Sequence, residues 1–251
     1  MLDAALIGLL SGSAVLIGAL LGLYLKLGNK LIAIIMAFGA GVLISALSID
    51  LMNDAFDKSQ DPLSIGLSFI GGALAFVLGD YFIDKSGGYF RKRSHGIIEE
   101  QKAKNSQDSS GTAILLGTLL DGIPESFVVG ASIAIGGSAG MVFVIAVFLS
   151  NLPEGMSGSI GMKMAGMSTK SILLLWIVTL LVTVLSSMAG YAFLGNSSPL
   201  IHSAIMAFAS GAILAMLCDT MIPEAFKFGG RFVALVTVIG FFLAFTLSKV
   251  L

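Results

Sequence analysis

Long apolar runs alternate with short polar segments along almost the whole chain. A transmembrane helix needs about 20 apolar residues to cross a hydrocarbon layer about 30 Å thick. Eight windows meet this requirement: 4–25, 31–52, 63–82, 112–135, 141–164, 171–194, 200–222 and 232–250. The pattern therefore predicts eight transmembrane helices, spans one to eight, joined mostly by short loops.

Composition supports a membrane protein and excludes a soluble globular domain. Of the 251 residues, 56% are hydrophobic and 12% are charged, whereas soluble domains are about 25% charged. The net charge of −1 offers no basic surface for nucleic acid. The single cysteine, Cys218, excludes an internal disulfide framework and a cysteine-based zinc module.

Residues 84–111 form the only long polar segment between spans, and they separate three spans from five. Their low apolar content predicts a loop without a packed core. If the N-terminus lies outside, every Lys and Arg except Lys58 and Lys249 falls on the inner side. The positive-inside rule then places both termini outside and the long loop in the cytoplasm.

The chain also contains an internal repeat. Residues 37–56 align without gaps on 207–226, and 70–76 match 239–245 at nearly the same offset. Spans one to three therefore look like a copy of spans six to eight. Each span of the first copy is offset by five spans from its equivalent in the second copy. Because five is an odd number, the two copies cross the bilayer in opposite directions, as in many secondary transporters.

The predicted fold class is an all-α membrane protein with eight transmembrane helices in a 3+2+3 inverted-repeat bundle. It forms a single transport domain over residues 1–251. Its parts are a first repeat (1–83), a cytoplasmic loop (84–111), a central site-bearing helix pair (112–165) and a second repeat (170–251).

Three of the five glutamates directly follow a proline: Glu125, Glu154 and Glu224. Glu125 and Glu154 fall in the middle of spans four and five, where an ionised carboxylate costs about 2.5–3.5 kcal/mol. A proline inside a helix also frees the carbonyl four residues earlier, here those of Leu120 and Leu149. Carboxylates and freed carbonyls together indicate a cation site.

Helical spacing brings further oxygen ligands onto the same faces. Asp121 precedes Glu125 by four residues and Ser150 precedes Glu154 by four, while Asn151 precedes Glu154 by three. Without a bound cation, three clustered carboxylates would not all stay charged. A divalent cation bound between spans four and five would allow all three carboxylates to stay charged.

These features also have purely structural interpretations. A proline beside a polar residue can be only a hydrated kink. Asp50 and Asp219, near the ends of spans two and seven, can be interfacial charges, and Asp54 and Glu224 can be interfacial or pathway-mouth residues. His202 near a helix start, like the other histidine of the chain, stands alone in the sequence.

Taken together, the residues resemble the ZIP (Zrt/Irt-like) family of divalent metal transporters. Residues 121–126 (Asp-Gly-Ile-Pro-Glu-Ser) and 150–155 (Ser-Asn-Leu-Pro-Glu-Gly) are similar to the family's His-Asn-x-Pro-Glu-Gly in helix four and Pro-Glu-Gly in helix five. Residues 218–224 look like its carboxylate-bearing helix seven. The resemblance covers nearly the whole chain and implies alternating access, with helices two, four, five and seven around the ion.

The chain departs from the family pattern at several ligand positions. Asp121 stands where the family usually has His, Gly122 replaces an Asn, and Thr220, beside Asp219, takes a usually acidic position. Mononuclear and binuclear sites both stay open. The metal ligands that the resemblance and the residues imply are Asp121, Glu125, Ser150, Asn151, Glu154, Asp219 and Asp50.

These ligands favour a particular class of substrate. Oxygen-rich sites without imidazole suit Mn²⁺, Fe²⁺ or Mg²⁺ better than histidine sites do, although carboxylates also bind zinc. The predicted function is therefore transport of zinc or a related first-row divalent metal, by alternating access, into the cytoplasm across the plasma (inner) membrane. The expected partners are the metal ion and the lipid bilayer, with no nucleic acid and no cofactor besides the transported metal; a homodimer is implied by the resemblance alone.

Three other functions compete with this prediction. A proton or small-solute carrier would use Asp121 and Glu125 as a relay, and a metal-sensing relative would bind without transporting. An intramembrane metallohydrolase is disfavoured, because the middle spans contain no His-Glu-x-x-His and no Ser or Cys nucleophile paired with a base. The chain is therefore not expected to be an enzyme.

Overall fold

The computed structural model describes residues 1–25, 27–85, 111–135, 138–164, 166–195 and 197–250. These residues form helices joined by short connections, and they contain no strand. Most of the predicted polar loop, with His95, lies outside the described residues.

The described residues form long helices in the predicted order, of which α2 and α7 each pass through a π-helical turn. The helices are α1 (Leu2–Tyr24), α2 (Asn29–Ser45, continued by Ala46–Leu51 and Met52–Ser59), α3 (Pro62–Lys85), α4 (Gly111–Ile135), α5 (Ser138–Met164), α6 (Thr169–Leu194), α7 (Pro199–Met216, continued by Leu217–Met221 and Ile222–Gly229) and α8 (Phe232–Val250). Within the described ranges, seven of them are long and apolar enough to cross a membrane. The remaining helix, α4, contains Asp121, Pro124 and Glu125 in its middle.

The helices α2 and α7 end later than the predicted limits at residues 52 and 222. Their last turns are strongly amphipathic and bury Ala55 and Ala225 against neighbouring helices. A search for apolar windows stops at the first polar residues, even where the helix continues with one buried face. The two predicted boundaries were therefore wrong in the same way.

The two π-helical turns occupy equivalent places in the sequence repeat. Ala46–Leu51 contains Asp50, and Leu217–Met221 contains Thr220, which the alignment pairs with Asp50. A π turn breaks the regular ladder of α-helical hydrogen bonds and often lies at a functional site. At these two turns, α2 and α7 therefore depart from regular α-helical hydrogen bonding.

Glycines allow the helices to pack with their backbones in close contact. A Cβ atom at Gly41 in α2 would overlap the carbonyl of Thr237 in α8. A Cβ atom at Gly211 in α7 would overlap the carbonyl of Phe69 in α3. Small residues at such crossings are the usual means by which membrane helices approach closely, and here they join α2 to α8 and α7 to α3.

The helices differ in how deeply they lie within the bundle. About two thirds of the apolar windows of α2 and α5, and 61% of that of α7, are buried, against 17% for α3 and for α8. Large apolar side chains cover the outer surface of α3 and α8, as expected for contact with lipid: Leu63, Leu67, Ile70, Leu74, Phe232, Leu235, Val238 and Phe242. The interior of the bundle is thus built around α2, α5 and α7.

Candidate functional site

The polar residues in the middle of α4 and α5 face the protein interior. Asp121 and Glu125 on α4 are each 2% exposed, and Ser150 and Asn151 on α5 are equally well buried. Glu154, one turn further along α5, is half-buried. Because α4 and α5 contact each other, these residues place several side-chain oxygen atoms in neighbouring parts of the interior.

The described residues do not contain a ready-made metal cage. No three His, Cys, Asp or Glu side chains within the described ranges lie close enough together to hold a metal ion. Carboxylates that share a site repel one another unless a cation or a proton compensates their charge. Within the described ranges, the acidic side chains are thus not gathered into one cluster of three or more.

The prolines that precede Glu125 and Glu154 lie inside continuous helices, Pro124 in α4 and Pro153 in α5. Hydroxyl groups support the α4 backbone here, because Ser126 donates to the Gly122 carbonyl over 2.7 Å and Ser186 of α6 donates to the Ile123 carbonyl over 2.9 Å. Such side-chain donors are a common way to satisfy carbonyls near a proline within a membrane.

The equivalent region of α5 lies against α2. A Cβ atom at Gly39 would come within 3.1 Å of the carbonyl oxygen of Leu149, which is the carbonyl that Pro153 deprives of a donor. The hydroxyl of Ser150 donates to the carbonyl of Val147 over 3.0 Å. Because the hydroxyl donates only its hydrogen in this bond, the lone pairs of its oxygen can still coordinate a cation.

A small, partly open cavity lies beside Glu154. Its polar walls come from α4, α5 and α7, and its apolar walls include three methionines and the single tryptophan. The lining residues are Met36, Thr118, Glu154, Ser157, Gly158, Trp176, Met216, Thr220, Met221 and Glu224. The cavity thus connects a carboxylate in the middle of α5 with a second carboxylate near the end of α7.

A second cavity continues from the first toward the start of α2. The two cavities share Met36, Ser157 and Glu224, and the second one reaches Asn29 and Phe228. The hydroxyl of Ser157 donates to Glu224 Oε1 over 2.6 Å. The two cavities therefore lie side by side between Glu154 and the end of the bundle where α2 begins, which we call the Glu224 end.

The sequence pattern did not indicate all of the residues that line these cavities. Thr118 and Ser157 were not among the predicted ligands, although each lies three residues from a predicted carboxylate, Asp121 or Glu154. Glu224 was considered an interfacial or pathway-mouth residue. The sequence signal that could have identified Glu224 as a cavity-lining residue was its position directly after Pro223, in the third Pro-Glu pair.

Two of the predicted supplementary ligands lie away from these cavities. Asp50 is 9% exposed and accepts a hydrogen bond of 2.5 Å from the hydroxyl of Ser248 in α8. Asp219 is exposed, whereas the adjacent Thr220 is buried and lines the first cavity. Thr220, and not Asp219, therefore lines the cavity beside Glu154.

The opposite end of the bundle contains a histidine–aspartate pair. His202 Nε2 at the start of α7 lies 2.6 Å from Asp54 Oδ2 near the end of α2. These residues are 148 positions apart in the chain, and the sequence pattern did not connect them. We call this part of the bundle the His202 end.

Long apolar helices that bury carboxylates in the interior of their bundle define a class of molecule, an integral membrane protein. No protein-family model matches the chain. Individual relatives, in contrast, cover most of its length.

The relatives are proteins named zinc transporter ZupT. The one from Enterobacter sp. (strain 638) is 28% identical over 229 residues, covering 86% of this chain and 84% of the relative. The one from Salmonella heidelberg (strain SL476) is 29% identical over 237 residues, covering 90% and 87%. The one from Salmonella newport (strain SL254) is 29% identical over 229 residues, covering 86% and 84%. These matches confirm the resemblance to the ZIP family, of which ZupT is a member.

Proposed function

We propose that this protein carries zinc, or a related first-row divalent metal ion such as Fe²⁺ or Mn²⁺, across the membrane by alternating access and into the cytoplasm. The observation that carries the proposal is the burial of Asp121 and Glu125 within the bundle, together with the cavity that Glu154 and Glu224 line. The extensive similarity to proteins named zinc transporters supports the same substrate class.

The proposed metal ligands are Asp121, Glu125, Ser150, Asn151 and Glu154. A bound dication would offset the repulsion among the carboxylates and draw their oxygens together. Bending at the two proline-containing turns of α4 and α5 would permit this convergence. Asp50 and Asp219 would reach the ion only after α2 and α7 had moved, so we assign them a supplementary role.

The proposed path out of the site follows the two connected cavities. An ion leaving Glu154 would next meet Glu224, whose carboxylate already accepts a hydrogen bond from Ser157. The distribution of Lys and Arg supports a cytoplasmic location for the Glu224 end, with both termini outside. A dication that moves inward gains about 4.6 kcal/mol per 100 mV of membrane potential, twice the single-charge value.

The proposed architecture is the 3+2+3 inverted repeat with eight spans, including α4. Its support is the sequence repeat together with the matched π turns of α2 and α7 and the equivalent glycine contacts α2–α8 and α7–α3. In this arrangement α2, α4, α5 and α7 enclose the ion, while the other helices support them. The homodimer implied by the resemblance stays a prediction, and the molar mass of the protein in detergent would test it.

Uptake into proteoliposomes tests the function. Purified protein is reconstituted, and initial uptake of Zn²⁺, Fe²⁺, Mn²⁺ and Mg²⁺ is measured for the unmodified chain, Glu125→Gln and Glu154→Gln. Glu99→Gln, a change in the polar segment outside the described residues, is the matched control. We expect uptake of at least one first-row metal, with a loss of about tenfold or more in each site variant, as for removal of a charged ligand worth about 1.4 kcal/mol or more.

Two results would contradict the proposal. Unchanged uptake in the Glu125→Gln/Glu154→Gln double variant would remove the site. Solute or proton movement without any metal uptake or metal-dependent thermal stabilisation would support the competing carrier function.

A further inference from the structure

The His202 end and the Glu224 end of the bundle are built from equivalent parts of the repeat but make different contacts. The alignment pairs Asp54 with Glu224, and the same offset pairs His202 with Ile32. At the His202 end, the imidazole and the carboxylate meet at 2.6 Å and directly link α7 to α2. At the Glu224 end, an isoleucine stands in place of the histidine and cannot form such a link.

The Glu224 end contains an opening where the His202 end has its link. Ile32 and Glu224 both line the second cavity, and Glu224 bonds to Ser157 of α5. The link between α2 and α7 is thus present at one end, while the equivalent positions at the other end line a cavity. In the conformation described, the bundle is asymmetric about its repeat.

The pair is well suited to hold two moving elements together. His202 is buried, while the side chain of Asp54 is 25% exposed, so water can reach and compete for the carboxylate once the imidazole withdraws. The bond involves a carboxylate, which makes it stronger than a hydrogen bond between neutral groups. It is a single contact, however, so it can break and reform within a transport cycle.

The backbone beside the pair provides a place for movement. Asp54 lies in Met52–Ser59, the segment of α2 that follows the π turn Ala46–Leu51. The π turn interrupts the regular hydrogen bonds of the helix, so the segment after it is able to pivot relative to the rest of α2. His202 lies in the first turns of α7, close to its N-terminus at Pro199.

We propose that His202 and Asp54 form a latch that closes the His202 end of the transport pathway, and that this latch opens when the site is exposed to that end. The inference rests on the proposed transport function, since a latch of this kind is meaningful only in a protein that exposes one site alternately. It goes beyond that function by assigning a gating contact to two residues outside the metal site. Breaking the contact would shift the population toward the state that is open at the His202 end.

Cysteine accessibility at both ends tests the latch. The native cysteine is first removed by Cys218→Ser, and a single reporter is then introduced. Ser203→Cys reports on the His202 end, because Ser203 is 1% exposed and follows His202. Ile160→Cys reports on the Glu224 end, because Ile160 lines the second cavity. The rate of modification by a membrane-impermeant maleimide is measured in detergent for each reporter.

Each reporter is combined with Asp54→Asn, with His202→Gln and, as a matched control, with Asp57→Asn, which changes an exposed aspartate near the end of α2. We expect both latch variants to raise the modification rate at residue 203 by about fivefold or more, the effect of losing about 1 kcal/mol of hydrogen bonding. We expect the rate at residue 160 to fall in the same variants. Asp57→Asn should alter neither rate.

The pair of reporters separates the latch from a loss of structure. Partial unfolding would raise the rates at both residues, and it would overturn the proposal, as would unchanged rates at residue 203. Metal uptake by the same proteins distinguishes the two proposals. Opposite changes at the two reporters support the latch even if no divalent metal is transported, whereas uptake with unchanged labelling removes the latch and leaves the transport function.

Discussion

The hydroxyl of Ser157 lies 2.6 Å from Glu224 Oε1 and thereby joins the middle of α5 to the last turns of α7. Both residues line the two connected cavities. Ser157 also follows Glu154 by three residues, so it lies on the same side of α5. The contact thus connects the proposed metal site with the end of the pathway.

This relationship predicts that Glu224 assists the release of the ion. Glu224→Gln removes a negative charge from the pathway, so we expect the maximal uptake rate to fall by about tenfold, an effect of about 1.4 kcal/mol. Ser157→Ala retains the charge and removes one hydrogen bond, which makes a smaller decrease the expected result. Initial rates over a range of metal concentrations provide the measurement. Equal rates for Glu224→Gln and the Glu99→Gln control would argue against a role for Glu224.

The single tryptophan provides an optical test for binding in the first cavity. Trp176 lines this cavity together with Glu154, and its indole N–H donates to the hydroxyl of Ser159 over 2.7 Å. A cation that binds near Glu154 changes the electric field at the indole, so titration with Zn²⁺ is expected to cause a saturable change in fluorescence. Glu154→Gln should weaken this response, and Glu99→Gln should preserve it. A response of equal size and midpoint in all three proteins would place binding elsewhere.

The ligand at residue 121 should influence the choice of metal. Asp121→His replaces a carboxylate with an imidazole, the residue type that the ZIP family usually has at this position. Because imidazole suits Zn²⁺ better than Mn²⁺, we expect the ratio of zinc to manganese uptake to rise several-fold. Competition assays with both metals in one experiment measure the ratio directly. Asp57→His adds the same group at an exposed position, and an identical shift in that variant would contradict the interpretation.

Close contact between α2 and α8 should make Gly41 intolerant of even one methyl group. A Cβ atom there overlaps the Thr237 carbonyl, and overpacking of this kind typically costs about 1–3 kcal/mol. Gly41→Ala is therefore expected to lower the thermal unfolding midpoint in detergent. Gly66→Ala is the matched control, since a Cβ atom at Gly66 meets nothing within 4 Å, and alanine is the better helix former by about 1 kcal/mol. A midpoint for Gly41→Ala at or above that of the unmodified protein would exclude the predicted clash.

Some features of the fold were accessible from local sequence patterns. The long apolar windows predicted helices that the structure contains, because a segment in lipid must satisfy its backbone hydrogen bonds within itself. The ends of α2 and α7 were misplaced, because their last turns are helical through amphipathic packing rather than uniform hydrophobicity. Local patterns thus predicted the presence of these helices more reliably than the residues at which they end.

The candidate site, too, could be predicted only in part from local sequence patterns. The paired prolines and glutamates of α4 and α5 were visible as residue types at helical spacing, and their predicted role as ligands stays a prediction. The sequence did not show that Thr220, rather than its neighbour Asp219, faces the cavity. Adjacent residues of a helix point in different directions, and spacing along one helix does not reveal which of them faces the helices packed against it.

By itself, the sequence determined that this is a membrane protein with an internal repeat and acidic residues in the middle of its apolar segments, because these properties depend on composition and on spacing along one helix. Tertiary structure alone decided that Ser157 meets Glu224 and that His202 meets Asp54, residues 67 and 148 positions apart. Such contacts depend on how separate helices cross and rotate against one another. Packing sets that geometry, and no period within a single helix encodes it.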